Sequence, residues 1–568
     1  MEEKIGVYVC ECGPNIADNV DIDRVLDAVS GLDGVVVAKR HKLLCSEDGK
    51  KFLKQNIEEH GLTHLVIAAC SPKLHELTFM NVCEEAGLNP YLFQLANIRE
   101  QCAWIVEDKE EATEKAIRYT RAAVSRIRYH TPLEKKEIES NPDVLVIGGG
   151  IAGIEASLLL ASKDRKVYLV EKTSSIGGMA KEFKQLFPKM EPTSNILEQK
   201  VQDVLKNENI EAFTDTKVEE VLGFFGNFVV KVKKKTETEE NEFKVGAVVV
   251  TTGLNLFDPT KLSRYGYGTL SDVYTALEFE RMNTEGKILL KNGNSPKSVG
   301  IIHCVGREEK GYCSRVCCLY SIKFARYLKA EIPQVNISQF YSDLCVPGKS
   351  YQRFYEETKE EGVDFIRAQD IEVTESNGQM SVNYKIESRK PTLRSVWKTE
   401  HRNVDMVILA PAIESSGDSS EIAEILNIHQ GDEGFFTEEH EKLGPVSTSM
   451  EGVFIAGCAQ GPKSIPDSIV QAEAVAGRIL SSLIPGRKLE PEVKISEISD
   501  AFCIGCKTCI SVCPYSAIVF DEIKRISVVN EVLCRGCGSC SAACPSGAAS
   551  HKHFTFRQVY QEVMEALR

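Results

Sequence analysis

The chain has 568 residues, 43% of them hydrophobic and 26% charged, with 40 Gly and 20 Pro. That is enough apolar material for about three or four domain cores and too little bias for a disordered chain. A formal charge of −14 argues against a nucleic-acid surface, and no window approaches the roughly 18 unbroken apolar residues of a membrane span.

The outlying count is 20 cysteines. The N-terminus, MEEKIGVYVCECG, carries acids where a secretory signal needs a basic region and has no small-residue cleavage site. A reducing cytoplasm is therefore expected, where structural disulfides are rare and grouped thiols read as metal ligands.

Residues 1–138 alternate strand-like apolar runs (KIGVYVC, THLVIAAC) with amphipathic helical stretches such as 107–128, the pattern of a small α/β domain. Its cysteines at 10, 12, 45, 70, 83 and 102 are scattered. Cys10 and Cys70 end strands, where loops gather at one sheet edge. With Cys45 and Cys102 they can hold a [4Fe-4S] cluster, Cys12 being an alternative to Cys10. Buried or surface thiols are the competing reading, since long-range spacing is weak support. Cys83, and further along Cys345 and Cys458, are read as structural.

Residues 139–484 read as a thioredoxin-reductase-like, FAD-binding Rossmann-type domain. The run DVLVIGGGIAGIEASLLLASKDRKVYLVE at 143–171 gives strand, glycine loop, helix, strand and acid. Gly148, Gly150 and Gly153 fit G-x-G-x-x-G: they make a tight turn and let the backbone approach a pyrophosphate, the helix N-terminus offers it free N–H groups, and Glu171 accepts from a ribose hydroxyl. FAD rather than NAD is favoured by the next segment, KTSSIGGMA, with Lys172, Gly177 and Gly178, by the crossover VVVTTG ending at Gly253, and by a late strand and helix, EGVFIAGCAQGPKSIPDSIVQAEAVAGRILSS. That strand ends at Gly457, and the helix beginning near Ile465 and Pro466 aims its positive end at the isoalloxazine. An ordinary strand and packed helix is the alternative for the late segment.

A second dinucleotide fold is expected in the middle of such a domain, but its glycine loop is missing. After the strand SVGIIHC the sequence runs CVGREEKGYCSRVCC, with Cys304, Cys313, Cys317 and Cys318. Three readings fit: a redox disulfide (Cys313–Cys317 or Cys317–Cys318), buried thiols, or a third [4Fe-4S] site. Four cysteines within 15 residues, beside a flavin and upstream of two cluster motifs, suit the last best. The charged run KVKKKTETEENEFK, 231–244, reads as a solvated hairpin.

The Pro- and charge-containing stretch 485–499 reads as a semi-rigid linker to a ferredoxin module at 500–550, an α+β fold with two clusters. CIGCKTCISVCP at 503–514 and CRGCGSCSAACP at 534–545 both have C-x2-C-x2-C-x3-C-P, in which three close cysteines wrap one cubane and the fourth, starting a helix, reaches the other. Cys503, Cys506, Cys509 and Cys544 then hold one [4Fe-4S] cluster, and Cys534, Cys537, Cys540 and Cys513 the second. Residues 551–568 close the chain with a short amphipathic helix.

The strings CVGREEKGYCSRVCCLYSIK, GPKSIPDSIVQAEA, VYVCECGPNIADNVD, AACSPKLHELTF and GLNPYLFQLANIREQCAW together resemble the A-type, flavin and iron-sulfur component of heterodisulfide reductase over nearly the whole chain. The resemblance implies an iron-sulfur flavoprotein that splits electron pairs at FAD, one electron going to ferredoxin and the other to a heterodisulfide or analogous acceptor. It implies that Cys304, Cys313, Cys317 and Cys318 ligate a cluster and that Lys323 lies near flavin N5 and tunes its redox energetics. It further implies partner subunits of the family's B and C types, a hydrogenase- or formate-dehydrogenase-linked donor, ferredoxin, and a homodimer within a larger assembly. Two departures stand out: FPKMEPTSNILEQK lacks the family's Cys-Ser-x-Cys, and there is no inserted second ferredoxin, so this is a short form. The alternatives are an NAD(P)H-dependent oxidoreductase resembling the small component of glutamate synthase and an electron-transfer adaptor of a benzoyl-CoA reductase, quinone-modifying or methylene-tetrahydrofolate reductase complex.

Overall fold

In the computed structural model, which describes residues 3–236, 240–389 and 395–568, the chain opens with four parallel strands, β1 (Ile5–Cys10), β2 (Val35–His41), β3 (His64–Ala69) and β4 (Phe93–Asn97), in the order β2-β1-β3-β4. Every residue of β1 is buried, as in parallel sheets covered on both faces. Ile5, Val7 and Val9 pack on helices α1 (Ile22–Ser30) and α4 (Lys109–Ile127). Tyr8 and Cys10, on the opposite face, pack on α2 (Glu47–His60) and α3 (Pro72–Glu85).

From Glu139 the dinucleotide unit begins. Strand β5 (Val144–Ile147), helix α5 (Ile151–Leu160), β6 (Val167–Val170), β7 (Ile210–Phe213) and β8 (Ala247–Val250) form a parallel sheet in the order β8-β5-β6-β7. The charged run at 231–244 contributes to two paired antiparallel strands, Asn227–Lys234 and Glu240–Val245; residues 237–239 of that run lie outside the described residues.

A second parallel sheet comes next, made of β9 (Val273–Thr275), β10 (Ser298–Val305), β11 (Asn336–Tyr341), β12 (Val363–Arg367) and β13 (Met406–Pro411) in the order β9-β13-β10-β11-β12. Helix α6 (Ala276–Thr284) follows β9, and α7 (Cys317–Glu331) connects β10 to β11. The chain then returns to the first sheet, where β14 (Val453–Ile455) lies beside β8 and α8 (Ile465–Ser482) packs on α5. Two dinucleotide-type sheets in one unit give the thioredoxin-reductase-like architecture.

The C-terminal part has two short antiparallel pairs, β15 (Ser496–Ile498) with β18 (Ala549–His551) and β16 (Ile518–Asp521) with β17 (Ile526–Val529), and ends in α9 (Phe556–Ala566). The chain divides into two compact units, one of Met1–Ile138 with Glu490–Arg568 and the other Glu139–Leu489. The N-terminal domain and the ferredoxin module, read as separate domains in the sequence, thus form a single unit. Helix α9 packs on α4, Arg126 donates to Glu562 at 2.5 Å and to the carbonyl of His553 at 2.9 Å, and Arg121 lies 2.8 Å from Glu565. In each pair one member, Arg126 or Glu565, is largely buried while its partner stays about a third exposed, so solvent screens these pairs in part. Among the described residues no helix is long and apolar enough to cross a membrane.

The same contact carries a pH dependence. His130 and His553 stack with ring centroids 4.3 Å apart, and burial pushes His130 down to about 3 and lowers His553 as well. In the unfolded chain each histidine takes a proton below pH ~6.5, while the folded chain still excludes it. Their contribution to stability is therefore complete above that pH and is lost as pH falls from there toward the folded value. The melting temperature of the chain should drop between about pH 7.5 and 5, and His130→Asn, which keeps a donor for the carbonyl of Tyr91, should drop less; equal drops would show that these imidazoles do not matter.

Candidate functional site

The flavin site is built where β5, β8 and β14 end. Gly148 follows β5 at φ +107, a conformation only glycine adopts freely, and a Cβ there would stand 2.3 Å from the carbonyl oxygen of Thr251. A Cβ on Gly153 would stand 2.0 Å from the oxygen of Gly148, so α5 packs directly on the loop. The Glu171 carboxylate, 7% exposed, accepts from the N–H of Gly149 at 2.7 Å and from the N–H and hydroxyl of Thr173 at 2.8 and 2.7 Å. These bonds fix its direction at the end of β6.

A cavity of about 940 Å³ opens over these elements. Of the residues expected to hold the cofactor, Gly148, Gly150, Glu171, Lys172, Gly178, Gly253, Gly457 and Ile465 all line it. Gly153 instead serves the close packing behind it. A flavin dinucleotide fits the donor set. The N-terminus of α5 opens into the cavity, as does that of α8, which Ser464 caps by accepting from Asp467 N–H at 3.2 Å. Thr252, on the wall, has a buried hydroxyl with no partner among the described residues. Lys172 is not free for a phosphate: its Nζ lies 2.9 Å from Asp418 and 3.0 Å from the Ser416 hydroxyl.

Lys323, on α7, lines the same cavity at 3% exposure. Its Nζ lies 2.8 Å from Glu280 of α6 and 3.2 Å from the carbonyl of Gln185, beneath the ring of Phe183. Burial lowers its pKa and Glu280 opposes that shift.

Cys304, Cys313, Cys317 and Cys318 come together around the N-terminus of α7. Cys317 and Cys318 each feel the charges of Cys304 and Cys313. Burial pushes both thiols up, Cys318 to about 12. Four thiols packed this way ionise together only against a compensating positive charge, which a metal cluster supplies. Donors already face the sulfurs: the N–H of Arg315 lies 3.4 Å from Cys313 Sγ, and the Arg307 guanidinium 4.0 Å from Cys304 Sγ. Tyr320, one turn along α7, feels the charges of Cys317 and Cys318, donates to the carbonyl of Pro411 at 3.4 Å and lines the flavin cavity.

Three residues of this region carry no functional signal in the sequence. Cys458 and Lys463 line the flavin cavity, and Cys345 adjoins the four thiols. Cys304 lies at the end of β10 and Cys345 just past its parallel neighbour β11, a juxtaposition that strand order would have revealed.

In the N-terminal domain the expected set needs correction. Cys10 feels Cys12 and Cys45, and Cys70 feels Cys45 and Cys12, with Arg99 3.8 Å from Cys12 Sγ. Cys102 is not among them: it is fully buried in the α1/α4 layer, nearest the charges of Lys115 and Arg118. The grouped thiols are Cys10, Cys12, Cys45 and Cys70, with Cys12 in place of Cys102. Cys83 is a core thiol, pushed up to about 12 by burial.

In the ferredoxin module, Cys513, Cys534, Cys537 and Cys540 line one small cavity. Cys509 feels Cys503 and Cys506, and Cys506 feels Cys544. The fourth cysteines do not start helices. Cys513 and Cys544 lie just past the short helices Thr508–Ser511 and Ser539–Ala543, because the residue before a proline is disfavoured in the α region. Burial raises Cys544, but the N–H of Ala549 and the Ser546 hydroxyl outweigh it and bring the thiol down to about 7. Among the described residues no three His, Cys, Asp or Glu are gathered as a site for a single metal ion; thiolates around a cubane each go to a different iron.

Residues 142–474 match the pyridine nucleotide-disulphide oxidoreductase family and residues 502–548 the 4Fe-4S dicluster domain. The chain is 38% identical to the A-type subunit of the H(2):CoB-CoM heterodisulfide,ferredoxin reductase of Methanothermobacter thermautotrophicus, over 92% of this chain and 91% of that protein. It is 37% identical to the second A-type iron-sulfur subunit of the CoB–CoM heterodisulfide reductase of Methanopyrus kandleri, over 100% and 99%, and 34% identical to the A-type iron-sulfur subunit of the same enzyme from Methanocaldococcus jannaschii, over 92% of each. Among solved structures it is similar to Lactococcus lactis thioredoxin reductase, at 16% identity over 60% of this chain and 99% of that one, with a TM-score of 0.41.

Proposed function

The chain belongs to the family of A-type heterodisulfide reductase subunits, oxidoreductases that carry electrons, and on that premise we propose that it is the flavin-centred electron hub of a multi-subunit complex. In this reading it passes electrons between a donor, ferredoxin and a disulfide-type acceptor on partner subunits, and it divides electron pairs between the two acceptors. The observation that carries the reading is the position of the four thiols around Cys317: they lie at the end of β10 and after it, where a second dinucleotide fold would carry its glycine loop, and Tyr320, one turn beyond Cys317, lines the flavin cavity.

FAD supplies two-electron and one-electron chemistry when bound, so no acid, base or nucleophile of the chain is required. The chain's residues bind and orient. Glu171 is set to accept from a ribose hydroxyl, the N-terminus of α5 to receive the pyrophosphate, and the N-terminus of α8 to favour negative charge on the reduced ring. Lys323, held by Glu280, places a cation in the same cavity. The ligand sets of this reading are the eight ferredoxin cysteines, Cys304 with Cys313, Cys317 and Cys318, and Cys10, Cys12, Cys45 and Cys70 for a further cluster.

The experiment is anaerobic native purification with identification of the co-purifying subunits, followed by addition of NADH or NADPH. Heterodisulfide-reductase-type partners and a flavin band that neither nucleotide bleaches are expected. Bleaching by either nucleotide within the mixing time would move the protein to the NAD(P)H-dependent class.

A further inference from the structure

Just past β11, Cys345 brings a fifth thiol to the site around Cys317. Its backbone N–H lies 3.4 Å from Cys318 Sγ, and its thiol lies near enough to Cys313 to feel its charge. The neighbouring Asp343 is bound into the same cluster of groups, with its carbonyl oxygen 3.8 Å from Cys318 Sγ and its carboxylate 3.3 Å from Arg307. Topology forces the meeting: β10 and β11 are adjacent and parallel, so the loops after them share one edge of the sheet.

A cubane takes four protein thiolates, and five converge here. Cys317 and Cys318 are buried in the first turn of α7, and Cys304 is held within the last residues of β10. Cys313 lies in the connecting loop, is partly exposed, and is the thiol whose charge Cys345 feels most. We propose that Cys345 is an alternative ligand of this cluster and exchanges with Cys313. The inference rests on the cluster reading of the site. In the exchange the Fe–S bond to Cys313 breaks as the one to Cys345 forms, and the thiol proton of Cys345 passes to the departing sulfur. No electron is gained or lost.

Alanine variants test it, because serine can itself ligate iron. Iron per chain, FAD per chain and the electron paramagnetic resonance of the reduced protein are read on the full anaerobic chain. Cys317→Ala should lose about four irons, one cubane. Cys313→Ala and Cys345→Ala should each keep the iron with a resonance altered from the parent's, because each loses one of the two ligation states, and the double variant should lose about four irons. Loss of iron from Cys313→Ala alone, or its retention in the double variant, overturns the exchange while the cluster stands. Retention of all iron in Cys317→Ala overturns the cluster reading and the exchange with it. FAD content reports whether each variant is folded. A second measurement needs no variant: alkylation of the loaded wild-type chain should label both Cys313 and Cys345, each in part, whereas label on Cys345 alone contradicts the proposal.

Discussion

Gly148→Ala should leave the chain without FAD while its ferredoxin iron stays in place. Residue 148 holds φ +107, and an added Cβ would meet the carbonyl oxygen and carbon of Thr251 at 2.3 and 2.7 Å. Both neighbours are backbone, and the N–H of Thr251 is tied to the carbonyl of Ile147 at 2.8 Å, so relief requires prising apart the ends of β5 and β8. Holding a side chain in such a conformation costs on the order of 1–3 kcal/mol before any clash, and ~1.4 kcal/mol already weakens binding tenfold. FAD retained after gel filtration should therefore fall by about tenfold or more. The ferredoxin cysteines belong to the other compact unit, so the iron they hold is an internal control. A variant with the FAD content of the parent would remove Gly148 from the site.

Lys323→Met should have the next largest effect, on stability and on flavin potential together. Glu280 is 2% exposed and its partner Lys323 3%, and removing one member of a buried ion pair costs about 3–5 kcal/mol because the other is left uncompensated. The double variant Lys323→Met/Glu280→Leu should recover most of that loss, since apolar replacement of a buried pair is often neutral or better. The potential of the single variant should fall, because losing a cation that favours the reduced ring lowers it, by about 30 mV for each ~1.4 kcal/mol of lost interaction; the double variant, which also removes the Glu280 carboxylate from the same cavity, should bring it back toward the parent's. Chemical denaturation and potentiometric titration separate the two effects. A single variant with the parent's potential would make Lys323 a structural residue only.

What is local in the sequence is what it makes legible. The ferredoxin ligands sit in two twelve-residue strings, and the glycine loop lies between a strand and a helix in one segment, so spacing alone carries their chemistry. Sites assembled from distant segments are harder to read. Cys10 and Cys70 end strands in the linear sequence and Cys45 and Cys102 are the thiols added to them, but a parallel sheet covered by helices has two faces. Cys102 lies on the α1/α4 face, whereas Cys10 and Cys70 lie on the face covered by α2 and α3. Cys345 reads as structural because it is 27 residues beyond Cys318, yet the pairing of β10 with β11 brings the two within hydrogen-bonding distance. The packing of α9 on α4 is hidden for the same reason: it joins residues more than 400 apart in sequence, through charges and rings that look like ordinary surface composition when read in line.

The central claim is that four thiols beside the flavin cavity hold a cluster in addition to the two of the ferredoxin module. Its most direct test is the iron and FAD content of the anaerobically purified full chain. The account predicts about one FAD and at least twelve irons per chain, four for each cubane, whereas one FAD with only about eight irons would contradict it.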